Sequence, residues 1–173
     1  MGEMIYNELM IAFGEPDAFV RMFIRITAAL LLGSAIGFER EHARKAAGLR
    51  THLLVTLGTS VFVLGGVGYG MASDALSRVI QGIVTGIGFI GAGSIIKREE
   101  ETGGVSGVTT SASVWMSAAI GIACGLGQLG LAFFATFLSV VVLRVLLYFD
   151  HPKPRSTASG DQSTATANGE KKD

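Results

Sequence analysis

Gly82-Ile-Val-Thr-Gly-Ile-Gly-Phe-Ile-Gly-Ala-Gly-Ser94 holds five glycines in thirteen residues. Gly86, Gly88 and Gly91 spell G-x-G-x-x-G, the fingerprint of a dinucleotide-binding turn. That fingerprint carries meaning only between a buried strand and a soluble helix, inside a βαβ unit with an acidic residue further on. The surroundings refuse it. Between His52 and Ile96 the only other acidic or basic residues are Asp74 and Arg78, and Val105 to Leu143 carries none. At about 1.5 Å per residue, one helix through Val105–Leu143 would far overrun a hydrocarbon core of about 30 Å. It must fold back, and Gly125-Leu-Gly-Gln128 is the natural turn. Long uncharged apolar runs are membrane spans, so the chain reads as an all-α, polytopic membrane bundle.

Composition agrees. Of 173 residues, 49% are apolar and only 16% charged, against about 25% charged in ordinary soluble domains. A net charge of zero leaves no electrostatic footprint for nucleic acid. A single cysteine, Cys124, excludes an internal disulfide and a Cys-based zinc cluster. The N-terminus is acidic and its apolar run is interrupted by Gly14 and Pro16, so no cleavable leader is expected.

Five spans of bilayer length are predicted near Ala18–Phe38, Leu53–Met71, Val79–Ile96, Val105–Cys124 and Leu129–Phe149. They make a transmembrane domain over 18–149. In the preceding segment, 1–17, Ile5, Leu9 and Phe13 recur at helical spacing, as in a short interfacial helix. The segment 150–173 is rich in Ser, Thr, Ala, Gly and charge, and is expected to be a disordered cytoplasmic tail. Basic residues cluster in the first loop (Arg40, Arg44, Lys45, Arg50), the third (Lys97, Arg98) and the tail, while the second loop holds only Arg78 and the fourth none. The positive-inside rule then puts the N-terminus outside and the tail inside.

At 100° per residue, Gly82, Gly86 and Gly93 share one face of the third span, with Gly88 and Gly91 roughly opposite. Small residues let helix backbones approach inside lipid, so this helix is expected to be gripped on both sides. On the fourth span Ser106, Thr110, Ser113, Ser117, Gly121 and Cys124 fall within about 60° of one line, and Trp115 faces away. Such a line is either a tight polar packing seam or the wall of a hydrated path, and packing is the stronger reading. In the first span Arg21, Arg25 and Glu39 share a face. Arg21 can snorkel, whereas Arg25 lies deep enough to need Asp74, backbone carbonyls or a partner subunit. Glu39 and Glu41 flank Arg40 beside the basic loop, a cluster suited to fixing topology and touching anionic headgroups. His42, three residues after Glu39, is expected to be solvated, and neither it nor His52 or His151 has metal-ligand spacing. No nucleophile elbow, HExxH or phosphate loop is present, so no enzyme is expected.

Several longer motifs then stand in order. They are Gly33-x-x-x-Gly37-Phe-Glu-Arg-Glu41, Lys45-Ala-Ala-Gly-Leu-Arg-Thr-His-Leu-Leu-Val55, Asp74 to Arg78, and Gly86-Ile-Gly-Phe-Ile-Gly-Ala-Gly-Ser-Ile95. Val105-x-Gly-Val-Thr-Thr-x-Ala-x-x-Trp115 and Ala118-Ala-Ile-Gly-Ile-Ala-Cys-Gly125 follow. This set, running from about Arg25 to Leu146, resembles the MgtC/SapB family of bacterial inner-membrane proteins. The resemblance implies a multi-pass protein linked to growth at low magnesium, acid stress or survival inside host cells. Larger relatives add a cytosolic C-terminal domain that the short polar tail here does not match. Many members carry magnesium-transport names, and others act on membrane machinery such as the proton-driven ATP synthase.

Two functions follow as alternatives. A regulatory protein would dock on another membrane complex or on itself, with a homodimer as the default assembly. A transporter would need carboxylates at the mouths, since Mg²⁺ is held by a few carboxylates while keeping waters; Asp74 outside and Glu39 and Glu41 inside are the candidates. The candidate polar set comprises these with Arg25, Arg40, Arg50, Thr51, His52, Arg78, Thr109, Thr110, Ser113, Ser117 and Cys124. Gly33, Gly37, Gly82, Gly86, Gly88, Gly91, Gly93, Gly121 and Trp115 are the candidate packing positions.

Overall fold

A computed structural model describes residues 1–4, 16–97 and 105–149. The interfacial helix expected around Ile5, Leu9 and Phe13 and the tail expected over 150–173 lie outside the described residues.

From residue 16 on, the described residues form five helices in order: α1 (Pro16–His42), α2 (Leu49–Gly68), α3 (Ser73–Gly93), α4 (Val108–Gly125) and α5 (Leu129–Phe149). The first four are long and apolar enough to cross a membrane, and α5 adds the apolar stretch Leu129–Val145. A two-residue antiparallel ladder, β1 (Ile96–Lys97) with β2 (Val105–Ser106), joins α3 to α4 and is the one departure from an all-α fold among the described residues.

The helix boundaries have local causes. Pro16 opens α1, where its missing N–H costs nothing, and Asp17 sits in the first turn beside the helix's positive end. Three helices end alike. After α1, Arg44 N–H reaches Glu41 O and Lys45 N–H reaches Arg40 O; the same double closure recurs at Gly70 and Met71 after α2, and at Gly127 and Gln128 after α4. This is the Schellman motif, which needs a left-handed residue at its pivot. Gly70 (φ 66°) and Gly127 (φ 80°) supply it without strain, whereas Arg44 adopts φ 52° with a side chain.

Around this skeleton α4 is the central post, packing on all four other helices. Most of its length is buried. Ala29 and Ile36 of α1, Ile120, Ala123 and Cys124 of α4, and Ala132 of α5 form one core cluster. Ile87 of α3 joins Val114, Ala118 and Ala47 in a second. On α5 the outer side carries Phe133, Phe134, Phe137, Leu138 and Val141, the surface lipid tails would wet.

Two predicted boundaries shift with consequences. Helix α1 runs past Phe38 to His42 and α2 starts at Leu49, so Glu39, Arg40 and His52 are helical residues and not loop residues. Helix α4 begins at Val108 because Ser106 is taken by the ladder; Ser106 is exposed and leaves the predicted hydroxyl line.

Candidate functional site

One face of α2 is polar and buried, carrying His52, Thr56, Thr59 and Ser60. Two glycine pairs bring α1 and α4 down onto that face. A Cβ added to Gly37 of α1 would stand 2.8 Å from Leu49 Cα and 3.1 Å from His52 Cβ, and one at Gly33 would run into the Thr56 side chain. From the other side, a Cβ at Gly121 of α4 would collide with Thr59 Oγ1 and the Thr56 carbonyl. One at Gly125 would lie 2.7 Å from Val63 Cβ and 2.9 Å from Ser60 O. Glycines four apart on two helices thus grip the polar face of a third, which is how helices associate where lipid removes the hydrophobic driving force.

Opposite this face α4 presents Thr110, Ser113, Ser117, Gly121 and Cys124, all buried, while Trp115 is half-exposed on the far side. The hydroxyls spend their protons on their own helices. Thr56 donates to His52 O (3.0 Å), Thr59 to Val55 O (2.8 Å), Ser113 to Thr110 O (2.8 Å) and Ser117 to Ser113 O (3.1 Å). His52 Nδ1 and Ser117 Oγ stand 2.7 Å apart, a hydrogen bond that ties the imidazole of α2 to α4.

At the same end, Glu39 and Arg40 are both buried and pair as a fork. Arg40 Nε meets Glu39 Oε2 at 2.5 Å and Nη2 meets Oε1 at 2.9 Å. Arg40 Nη1, His52 Nε2 and Ser60 Oγ are the buried side-chain atoms that find no hydrogen-bond partner among the described residues. Unpartnered polar atoms beside a buried ion pair make this end the most polar part of the interior. Glu41 is exposed; its carboxylate accepts from Leu49 N–H at 2.9 Å and so caps the positive end of α2. His42 is exposed and stacks on Phe38.

Helix α2 separates Glu39 and Glu41 from Asp74, since they lie at its two ends, about 30 Å apart for a helix of this length. The three candidate carboxylates therefore share no site, and no group of three or more His, Cys, Asp or Glu able to hold a metal ion occurs among the described residues. Asp74 instead pairs with Arg78 at 3.3 Å, both exposed. Arg25 takes the carbonyl alternative: its Nη1 donates to Gly125 O at 3.0 Å and its guanidinium lies over Gly127. A cation there complements the negative end of α4. Arg50 and Thr109 are exposed and Thr51 is half-buried.

The glycines that drew attention first behave differently from the rest. Of the α3 set only Gly91 makes a close approach, with Ser111 Oγ 2.6 Å from where a Cβ would stand. Gly82, Gly86, Gly88 and Gly93 have nothing within 4 Å. Within one chain α3 is thus gripped on one side only; Gly82 and Gly86 open onto an apolar groove of about 540 Å³ beside Thr59 and Phe62 of α2. The positions that sequence reasoning passed over are Thr56, Thr59, Ser60 and Gly125. Thr56, Thr59 and Ser60, four, seven and eight residues after His52, formed a legible helical stripe.

Comparison with known proteins gives a consistent result. The sequence model of the MgtC family matches residues 26–151. Protein SrpB of Synechococcus elongatus is 41% identical over 145 residues, covering 77% of this chain and 79% of that protein. Protein MgtC of Salmonella typhimurium is 42% identical over 124 residues, 72% of this chain and 51% of the relative. The putative magnesium transporter YhiD of Escherichia coli K12 is 39% identical over 131 residues, 70% and 59% respectively. The chain thus spans little more than half of the latter two relatives. No solved structure matches it.

Proposed function

This chain belongs to the MgtC family, and from that premise we propose that it is a bacterial inner-membrane protein of magnesium homeostasis and stress or host adaptation. It acts by regulating other membrane machinery and not by carrying ions itself. The observation that carries this reading is the closed polar seam. Thr56 and Thr59 of α2 and Ser113 and Ser117 of α4 turn their hydroxyls to their own helix carbonyls, and glycine pairs hold the three helices at backbone contact, an arrangement that rigidifies a scaffold. The link to magnesium draws support from the name of the YhiD relative. The exposed Arg44, Lys45 and Arg50 beside the α1–α2 turn suit anionic headgroups at the cytoplasmic face. The regulated partner is a second membrane complex, of which a proton-driven ATP synthase is one candidate.

A second reading, Mg²⁺ passage through an oligomer, draws on the outward polar face of α3 with Asp74 at its mouth. Flux separates the two. Full-length protein in liposomes containing a Mg²⁺-sensitive dye is expected to leave dye fluorescence at the empty-liposome rate while the same protein rescues growth of a deletion strain at low Mg²⁺. Uptake well above the empty-liposome rate that Asp74→Asn abolishes would replace regulation with transport.

A further inference from the structure

Where α4 turns into α5, two arginines stand without a carboxylate. Arg21 and Arg25 are one turn apart on α1 and share a face. The ion pairs among the described residues join Arg40 to Glu39 and Arg78 to Asp74, and neither includes these two. Arg21 is exposed, and Arg25 is half-buried with its guanidinium against Gly127. Arg25 Nη1 donates to Gly125 O at 3.0 Å, while Nε and Nη2 donate to no acceptor among the described residues. Gln128, the next residue in the turn, is exposed and adds a side-chain amide.

The turn is sunk below the helices beside it. Arg25 stands nine residues inside α1, about 13 Å along the helix from Pro16. Gly125 meets Ser60 and Val63 of α2, and that helix runs on to Gly68, about 8–12 Å further. Exposed aromatics mark this height as hydrocarbon. Phe62 of α2, between Ser60 and Val63, is 65% exposed. Phe23, between the two arginines in sequence and roughly opposite them around α1, is 62% exposed. Acyl chains give a guanidinium no acceptor, so at this height it needs an anion or water drawn down to it.

We propose that this notch holds the phosphate of an anionic phospholipid, lodged below the ordinary headgroup level. Arg21 and the free Nε and Nη2 of Arg25 donate to the phosphate oxygens, and the Gln128 amide donates beside them. The acyl chains run over Leu131 and Phe134, exposed at the start of α5. A lipid fits better than a soluble anion, because it brings apolar chains to a site bordered by phenylalanine and leucine. Two cations exceed the single charge of one phosphodiester, which favours an anionic headgroup over a zwitterionic one. The leaflet is thereby thinned beside α1, α4 and α5. The inference goes beyond the regulatory reading and holds whether the protein regulates or transports.

Native mass spectrometry of the full chain tests it by the lipid retained. An Arg44→Gln, Lys45→Gln, Arg50→Gln background strips the basic turn at the other end of the bundle. In that background dioleoyl phosphatidylglycerol is expected to bind, and Arg21→Gln or Arg25→Lys to weaken it at least about tenfold, the loss of one charge-assisted hydrogen bond. Dioleoylglycerol, which has the same tails and no phosphate, and inorganic phosphate alone are expected to leave no adduct. Affinity unchanged in both arginine variants, or equal retention of dioleoylglycerol or inorganic phosphate, overturns the proposal. A second measurement locates the headgroup without altering either arginine. In phosphatidylglycerol bilayers and a Cys124→Ala background, a nitroxide on Gln128→Cys should meet a water-soluble nickel chelate at least about threefold more often than one on Phe62→Cys at the same height. Equal accessibility at the two positions would refute a sunken headgroup.

Discussion

Gly33→Ala is the perturbation that tests the seam most sharply, because the atoms it meets belong to one side chain. A Cβ at Gly33 would clash with Thr56 Oγ1, lie 2.9 Å from Thr56 Cγ2 and 3.0 Å from Thr56 Cβ, with no backbone atom among the nearest three. Overpacking of this kind costs about 2 kcal/mol. For a chain of 173 residues that lowers the Tm by about 4–8 °C. In a Thr56→Ala background the two nearest atoms are gone and only the 3.0 Å Cβ contact remains. Adding Gly33→Ala there should cost less than about 1 kcal/mol, a coupling of about 1–2 kcal/mol between the two positions. Gly121→Ala is the control. Its Cβ would strike the Thr56 carbonyl and stand 3.0 Å from Thr56 Cα, backbone atoms that no side-chain truncation removes. Thr59→Ala should therefore rescue it by less than about 0.5 kcal/mol. The readout is built in: Cys124 is the only cysteine and is fully buried, so a fluorogenic thiol reagent follows thermal unfolding in detergent. An unchanged Tm for Gly33→Ala, or equal rescue at both glycines, would refute the account of the seam.

Two further outcomes follow from the helix ends. Glu39→Gln leaves the Arg40 guanidinium buried without its carboxylate, and is expected to cost about 3–5 kcal/mol, while Glu39→Gln with Arg40→Met recovers most of the loss. The same thiol assay checks both, and a Tm within a degree of the parent for the single substitution would count against the pair's burial. Gly127→Ala must hold a side chain at φ 80° and 2.5 Å from Arg25 Nη2. Backbone strain alone amounts to about 1–2 kcal/mol, and combining it with Arg25→Ala should remove the clash but not the strain. Full recovery in the double variant would show that the left-handed turn is not needed.

What the sequence made legible was set by the bilayer. Uncharged length announced the spans, and the hydroxyl stripe of α4 emerged where it was placed, apart from Ser106. The helix ends were less legible because charge marks where a membrane ends and not where a helix does. Glu39 and Arg40 extend α1 beyond its apolar run since each supplies the other's counter-charge, and Asp74 and Arg78 do the same at the start of α3. Likewise the His52 site needed a contact between residues 65 apart in sequence, information that no local pattern holds.

The glycines carry the last step of the argument. Gly33, Gly37, Gly121 and Gly125 look no different in sequence from Gly82, Gly86, Gly88 and Gly93, since both sets sit in apolar helices at near-helical spacing. What separates them is the bulk they face: Leu49, His52, Thr56, Thr59, Ser60 and Val63 of α2 in the first set, nothing within 4 Å in the second. A glycine in a membrane helix costs about 0.5–1 kcal/mol relative to alanine, so it is worth keeping only where a backbone must come close. For the first set the chain itself provides that neighbour. On α3 only Gly91 meets such a neighbour, Ser111 of α4. The stretch that imitates a nucleotide-binding turn is therefore a membrane span in which one glycine is packed and Gly82, Gly86, Gly88 and Gly93 face open space among the described residues.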